Sequence, residues 1–251
     1  MSLIHTPAVL LRAFPYSETS KILRFYSQAL GVVGVMAKGV RRRASRHGGA
    51  LVTFSEGTLS VHFRENRELQ TFREFSPTRV RTDLAADPLR LAGASVLGEL
   101  ILGHAGEVGN VPLFESLSSG LDRMAITGRE EIFPRILAEL WGLVADLGYG
   151  PSLDRCVECG RDLLREEWGR FDFPAGGVRC AGCAEKAMGP RLGPRAREQL
   201  LALLRRSPPR DLVKPRAHLR LANDFITYHV SGGTPLRSIE VMATLLAAPD
   251  A

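Results

Sequence analysis

TLSVHF, residues 58–63, alternates polar and apolar side chains without a break and puts Leu59, Val61 and Phe63 on one face. A period of two is the pattern of a strand with one face against a core. Outward from it, four more short runs rich in β-branched and aromatic residues stand between turn signals: 8–14, 21–27, 32–37 and 69–75. Residues 15–20 (PYSETS) and 28–31 read as their connections. Five short strands within the first 80 residues are the content of a small closed or nearly closed barrel, and an OB-fold is expected. An SH3-like barrel fits the strand count almost as well.

After Thr78 the pattern changes to helical spacing over residues 83–103, 111–126 and 130–147. In the last of these, Ile132, Ile136, Leu137, Leu140, Trp141 and Val144 form an apolar stripe expected in a core. Gly148-Tyr149-Gly150-Pro151 ends that helix, and further helical patterns cover 194–206, 215–230 and 236–247. Pro208-Pro209 separates the first two of these. The fold class expected is α+β: an N-terminal OB-fold barrel (1–80) and a helical region in two parts (81–150 and 187–251). A four-cysteine module, 151–186, is inserted between those parts.

The module rests on the four cysteines of the chain, Cys156-Val157-Glu158-Cys159 and Cys180-Ala181-Gly182-Cys183. C-x2-C-x20-C-x2-C is the spacing of two knuckles sharing one tetrahedral ion. An all-sulfur set suits zinc or iron–sulfur chemistry, and with no redox partner motif zinc is the ion expected. Four ligands close the coordination sphere, so the expected role is structural. Paired disulfides would need an oxidising compartment. Residues 1–5 lack a basic run followed by an apolar one, and no stretch approaches the ~18 apolar residues of a membrane span. A reduced, cytoplasmic setting without membrane contact is therefore expected.

Charge is the next signal. The chain carries 33 Lys+Arg against 27 Asp+Glu, a net charge of +6. More telling is its placement. KGVRRRASR, residues 38–46, holds five cations (Lys38, Arg41, Arg42, Arg43, Arg46) and no acid, beside a strand and before Gly48-Gly49. Such an exposed loop suits a phosphate backbone. Lys21 and Arg24 alternate with apolar Leu23 and Phe25 on the second strand and are expected to point outward with it. Tyr16, Tyr26 and His62 are candidates for base stacking, whereas Phe25 and Phe63 are expected in the core. A second basic stretch runs from Arg191 to Arg220 and includes Arg195, Arg197, Arg205, Arg206, Arg210, Lys214 and Arg216. No phosphate loop, no G-x-S-x-G elbow and no H-E-x-x-H pair occurs, so a binding protein rather than an enzyme is expected.

These residues converge on a family. YSETSKILRFY (16–26), Gly31 and MAKGVRR (36–42) resemble the start of the bacterial RecO recombination mediators. So do Gly148-Tyr149-Gly150-Pro151 with Leu153-Asp154, the CVECG of 156–160 and the FDFPAGGVRC of 171–180. The resemblance implies an OB-fold that binds single- and double-stranded DNA, annealing of complementary strands, and work beside RecR to load RecA onto strands coated by single-strand-binding protein. It also implies a cytoplasmic, nucleoid-associated protein. Some lineages of that family lack the zinc ligands; this chain keeps all four. Two other classes stay open. One is a zinc-ribbon nucleic-acid-binding adaptor of transcription or translation, whose knuckles should carry cations; here Arg155 and Arg179 lie just outside them. The other is a metal-dependent nuclease, which the lack of an acid cluster disfavours.

Overall fold

Strand β1 (Ser2–Pro15) runs antiparallel to β2 (Lys21–Ser27) on one side and to β4 (Glu56–Phe63) on the other. β2 continues antiparallel to β3 (Gly31–Ala37), β3 pairs in parallel with β5 (Leu69–Arg79), and β5 returns to β4. The order β1-β2-β3-β5-β4 closes on itself as an OB-type barrel. The computed structural model describes residues 2–41 and 51–247, in two compact units, Met1–Ile126 and Thr127–Ala251.

The barrel interior is filled by alternate residues: Leu10, Leu23, Phe25, Val33, Val35, Leu59, Val61 and Phe75, with the Phe25 and Phe75 rings 5.2 Å apart. Phe63, expected with Leu59 and Val61, is only half-buried, because it ends its strand opposite Ser2 at the end of the sheet. The outer face of β1 and β2 is dry as well. Val9, Leu11 and Tyr26 are buried there. Leu11 packs against Gly98 of α2 (Pro88–His104), and the Tyr26 ring lies 6.3 Å from that of Phe114 in α3 (Val111–Ile126). Tyr26 is therefore no stacking surface; burial pushes its hydroxyl up to about 12. Strands buried on both faces read as continuous apolar runs, which accounts for Val9-Leu10-Leu11.

The helix expected over 83–103 is two. A short α1 (Thr82–Ala86) stops at Asp87, whose carboxylate accepts from the backbone N–H of Leu89 (2.9 Å) and Arg90 (3.0 Å) to cap α2, with Pro88 at its first position. Gly31, at φ +62°, is required where the backbone of Gly106 and Val108 crosses: a Cβ there would stand 2.7 Å from either carbonyl oxygen.

At the end of β5 a buried guanidinium ties barrel to helices. Arg81 donates to the Phe54 carbonyl (2.9 Å), Glu56 Oε2 (2.8 Å), Asp122 Oδ1 (2.6 Å) and Ser118 Oγ (2.9 Å). Arg79 joins the cluster through Asp122 and Glu56. Burial alone would raise the Glu56 carboxyl; hydrogen bonds from Ser118 and Arg81 outweigh it and hold the group below its ordinary value.

In the second unit, α4 (Ile132–Val144) is buried along most of its length, and its Trp141 ring lies 5.3 Å from that of Phe225 of α6 (Pro215–His229), tilted by 52°. A π-type turn, Ala145–Tyr149, follows α4 with Gly148 at φ 92°, so the helix ends before the expected residue 147. α5 (Pro194–Leu204) and α7 (Arg237–Ala247) complete the helices. A three-stranded sheet of order β7-β6-β8 consists of β6 (Gly169–Asp172), β7 (Gly177–Cys180) and β8 (Arg191–Leu192).

Removing one partner of a buried charge cluster leaves the rest uncompensated, which costs about 3 kcal/mol or more. Arg81→Leu is expected to lose that much in urea denaturation followed by circular dichroism. The Glu56 carboxyl titrates lower folded than unfolded, so its contribution is complete above the unfolded value of about 4.3 and fades as pH falls through the folded one. The urea midpoint should drop over that acidic window, and drop less in Glu56→Gln.

Candidate metal centre and nucleic-acid surfaces

The first knuckle is built by main-chain bonds. Cys156 N–H donates to the Arg161 carbonyl (2.8 Å), Gly160 N–H donates to the Cys156 carbonyl (2.9 Å), and Gly160 takes φ +72° to close the turn. The second begins where β7 ends at Cys180 and continues into a 3-10 turn, Ala181–Lys186, that presents Cys183. Across the gap, the Cys180 N–H donates to Cys156 Sγ at 3.3 Å. All four sulfurs lie within 4.8 Å of one another, with Cys159 and Cys180 Sγ at 4.0 Å. A tetrahedral ion with ~2.3 Å bonds to sulfur separates its ligands by roughly 3.8 Å, so the set fits one metal ion. All four cysteines are free thiols.

Electrostatics support the same reading. Burial disfavours a thiolate at Cys156, but N–H groups of Cys159, Cys180 and Glu158 outweigh it and bring the group down to about 6. Hydrogen bonding to Cys180, followed by burial, pushes Cys183 up to about 12. Four thiols this close ionise together only around a cation.

The shell beyond the sulfurs ties both knuckles to α5. Glu167 Oε1 accepts the Ala181 N–H (3.3 Å), and the same carboxylate pairs with Arg161, next to the first knuckle. Arg197 of α5, only 4% exposed, donates to the carbonyls of Glu167 (2.9 Å), Arg165 (3.3 Å) and Leu164. Arg155 pairs with Asp162 (3.1 Å), and Arg179 pairs with Glu158 (2.7 Å) and Asp172.

On the barrel, Lys21 and Arg24 do not share a face. Arg24 has the outward parity of Tyr26, whereas Lys21 has the parity of the core residues Leu23 and Phe25. Three residues apart on a strand, they must differ. Lys21 opens β2 at the barrel end where Pro15 and Ala37 close their strands, and Lys38 and Arg41 follow at once. Arg41 donates to the Ser17 carbonyl at 2.6 Å, joining the two loops of that rim, where Tyr16 is 63% exposed. Arg24 lies over Gly34 and directly opposite Arg12 of β1. Arg42, Arg43 and Arg46 lie outside the described residues.

The basic stretch from Arg191 to Arg220 divides. Arg195 pairs with Asp211, Arg206 with Glu139 and Asp146, and Arg210 with Glu131 (3.6 Å), while Arg197 is buried. Arg216 donates to the Leu246 carbonyl. Arg205, Lys214 and Arg220 are exposed, with no side-chain partner among the described residues.

The family profile described as Recombination protein O N terminal matches residues 1–81, and the one described as Recombination protein O C terminal matches residues 85–238. The chain belongs to the recombination protein O family. It is 33% identical to the DNA repair protein RecO of Rubrobacter xylanophilus over 196 residues, 74% of each chain. It is 30% identical to that of Synechococcus elongatus over 96% of this chain and 95% of the relative. A third relative, the DNA repair protein RecO of Desulfatibacillum aliphaticivorans, is 32% identical over 80% of this chain.

Two residues, Arg12 and Arg81, escaped the sequence reading of this RecO-type chain, and a third, Arg197, was read only as one cation of the basic stretch 191–220. Arg12 meets Arg24 only through the β1–β2 register, which a bulge between Leu10 and Arg12 shifts. Arg81 and Arg197 have polar neighbours in the sequence and are buried by long-range packing. Arg81 has one weak signal, its place between the last strand of the barrel and the first helix.

One metal ion per chain is expected by elemental analysis, with all four thiols protected from a thiol reagent until a chelator is added. Cys180→Ser should lose the ion and lower the melting temperature of the Thr127–Ala251 unit while leaving residues 1–126 folded; metal-free protein with four reactive thiols and an unchanged melting curve would refute this.

Proposed function

We propose that the chain is a non-catalytic recombination mediator. It binds single- and double-stranded DNA, anneals complementary strands, and acts with RecR to place RecA on strands coated by single-strand-binding protein. The observation that carries this reading is the barrel rim of a recombination protein O chain. There Lys21, Lys38 and Arg41 gather at one end, Arg12 and Arg24 lie on the adjoining outer face, and Arg42, Arg43 and Arg46 follow in sequence. Loop and rim cations of this kind contact phosphates, which gives binding without sequence preference and with steep salt dependence.

The ion held by Cys156, Cys159, Cys180 and Cys183 is zinc in this reading, since four thiolates in a closed tetrahedron suit it and it brings no redox change. It stabilises a module too small to fold on apolar burial alone. The zinc-ribbon adaptor is the weaker alternative: Arg155 and Arg179, which precede the two knuckles in sequence, are both held by carboxylates. Among the described residues no helix is long and apolar enough to cross a membrane. The proposed work on DNA sets the protein in the cytoplasm.

Two phosphate backbones repel, and a protein with cationic surfaces on two units relieves that repulsion without hydrolysis. Annealing of complementary oligonucleotides should proceed without ATP or Mg2+, decline at high salt, and continue on strands coated with the cognate single-strand-binding protein. Arg41, Arg42 and Arg43 changed together to Glu should weaken binding on all sequences alike and flatten the single-strand salt slope by roughly 2, at ~0.7 per lost contact. A parental slope in that variant removes the rim from the assignment. Loss of annealing on coated strands even with RecR present reduces the protein to a DNA binder.

A further inference from the structure

The sheet β7-β6-β8 has two unlike faces. Phe171, Val178 and Leu192 are buried on one, with the Phe171 ring 5.9 Å from that of Phe225. On the other, register places Arg179 opposite Arg170 and Arg170 opposite Arg191, a row of three arginines across three strands. Like charges directly opposite one another on a sheet repel, so each needs compensation. Arg179 has it, from Asp172 and Glu158. Arg170 has only the Ala187 carbonyl (3.3 Å), and the Arg191 guanidinium only the ring of Trp168, 4.0 Å from its centroid. Neither has a carboxylate partner among the described residues.

A guanidinium stacked on an indole keeps its second face open, and unpaired bases stack on guanidinium planes as they do on aromatic rings. The adjoining guanidinium of Arg170 then stands where a phosphate of the same strand offsets the repulsion in the row. We propose that this face is a single-strand contact, with Trp168 and Arg191 as a platform for one unpaired base and Arg170 on a neighbouring phosphate. The inference rests on the DNA-binding reading above and adds to it a site on the sheet of the cysteine module, made of residues other than the barrel-rim cations and the four cysteines. A duplex keeps its bases stacked on one another, so the face selects single strands.

The chain has two tryptophans, Trp141 and Trp168. Trp141 is fully buried in the helical core, so ligand-dependent quenching reports on Trp168. Titrating the full-length protein with an oligothymidylate should quench its fluorescence, and salt should reverse the effect. Trp168→Phe should abolish the quench. Arg170→Glu combined with Arg191→Glu should abolish it too and flatten the salt slope by about 1.4, two contacts at ~0.7 each, with metal content unchanged. Arg191→Lys keeps the charge but not the plane, and should retain most of the binding while losing most of the quench. Oligothymidylate that binds by anisotropy without quenching overturns the site and leaves the DNA-binding reading standing. An equal quench from a duplex or from polyglutamate overturns the assignment to single strands. Absence of any anisotropy change overturns both.

Discussion

Five strands closed into a barrel this small leave an interior wide enough for packed apolar side chains and nothing charged. The described cations of the barrel are thereby forced to an outer face, to a rim, or into a compensated cluster, and the unit uses all three. The outer face of β1 and β2 is largely taken by α2 and α3, which leaves Arg12 and Arg24 as a cationic pair at its margin. The rim takes Lys21, Lys38 and Arg41. The cluster takes Arg79 and Arg81 at the end of β5, where Glu56, Asp122 and Ser118 receive them. Closure of the barrel is thus what separates structural arginines from those able to meet a phosphate.

The second unit solves a different problem. A module of a few dozen residues cannot bury enough apolar surface to hold itself, and this one borrows stability in two directions. One face of its sheet supplies Phe171, Val178 and Leu192 to the helical core. Its knuckles are tied to each other by four sulfurs and by Glu167, which bonds Arg161 on one side and the Ala181 N–H on the other. Arg197 then anchors the same segment to α5. Disturbance of the metal site therefore has two routes to the helices, residues 164–167 held by Arg197 and strand β7, which ends at Cys180.

What could be read in the sequence was local. The alternation of 58–63, the five strand runs, the apolar stripe of α4 and the two C-x-x-C turns each depend on neighbours a few residues away, and each is present, with Phe63 half-buried at its strand end and β1 begun earlier, at Ser2. What could not be read depends on partners far along the chain. Tyr26 looked like an exposed ring because its strand alternates, yet Phe114 covers it. Lys21 and Arg24 looked alike because both sit beside apolar residues, yet their spacing sets them on opposite faces. The stretch Arg191–Arg220 looked like one basic surface, and most of its arginines turned out to be held by acids, carbonyls or a ring. Trp168 and Arg170 carried no signal, since their meaning comes from a register across three strands.

That last contrast bears on why the basic residues are so unevenly chosen. Of the 33 cationic side chains, four are lysines: Lys21, Lys38, Lys186 and Lys214. A lysine is a compact, strongly hydrated point charge, whereas a guanidinium offers five donors in a plane and two faces for stacking. Arg81 reaches two carboxylates, a hydroxyl and two carbonyls from one buried position, and Arg197 reaches three carbonyls. No ammonium spans such a set. Arg191 uses the other property, with its guanidinium carbon over the Trp168 ring, 4.0 Å from the centroid. The same side chain therefore serves as internal bracket and as external platform, and net charge alone does not distinguish the two uses. Partners do: an arginine whose donors are filled from within contributes to stability, and one left against a ring or in water contributes to the field that a phosphate chain meets.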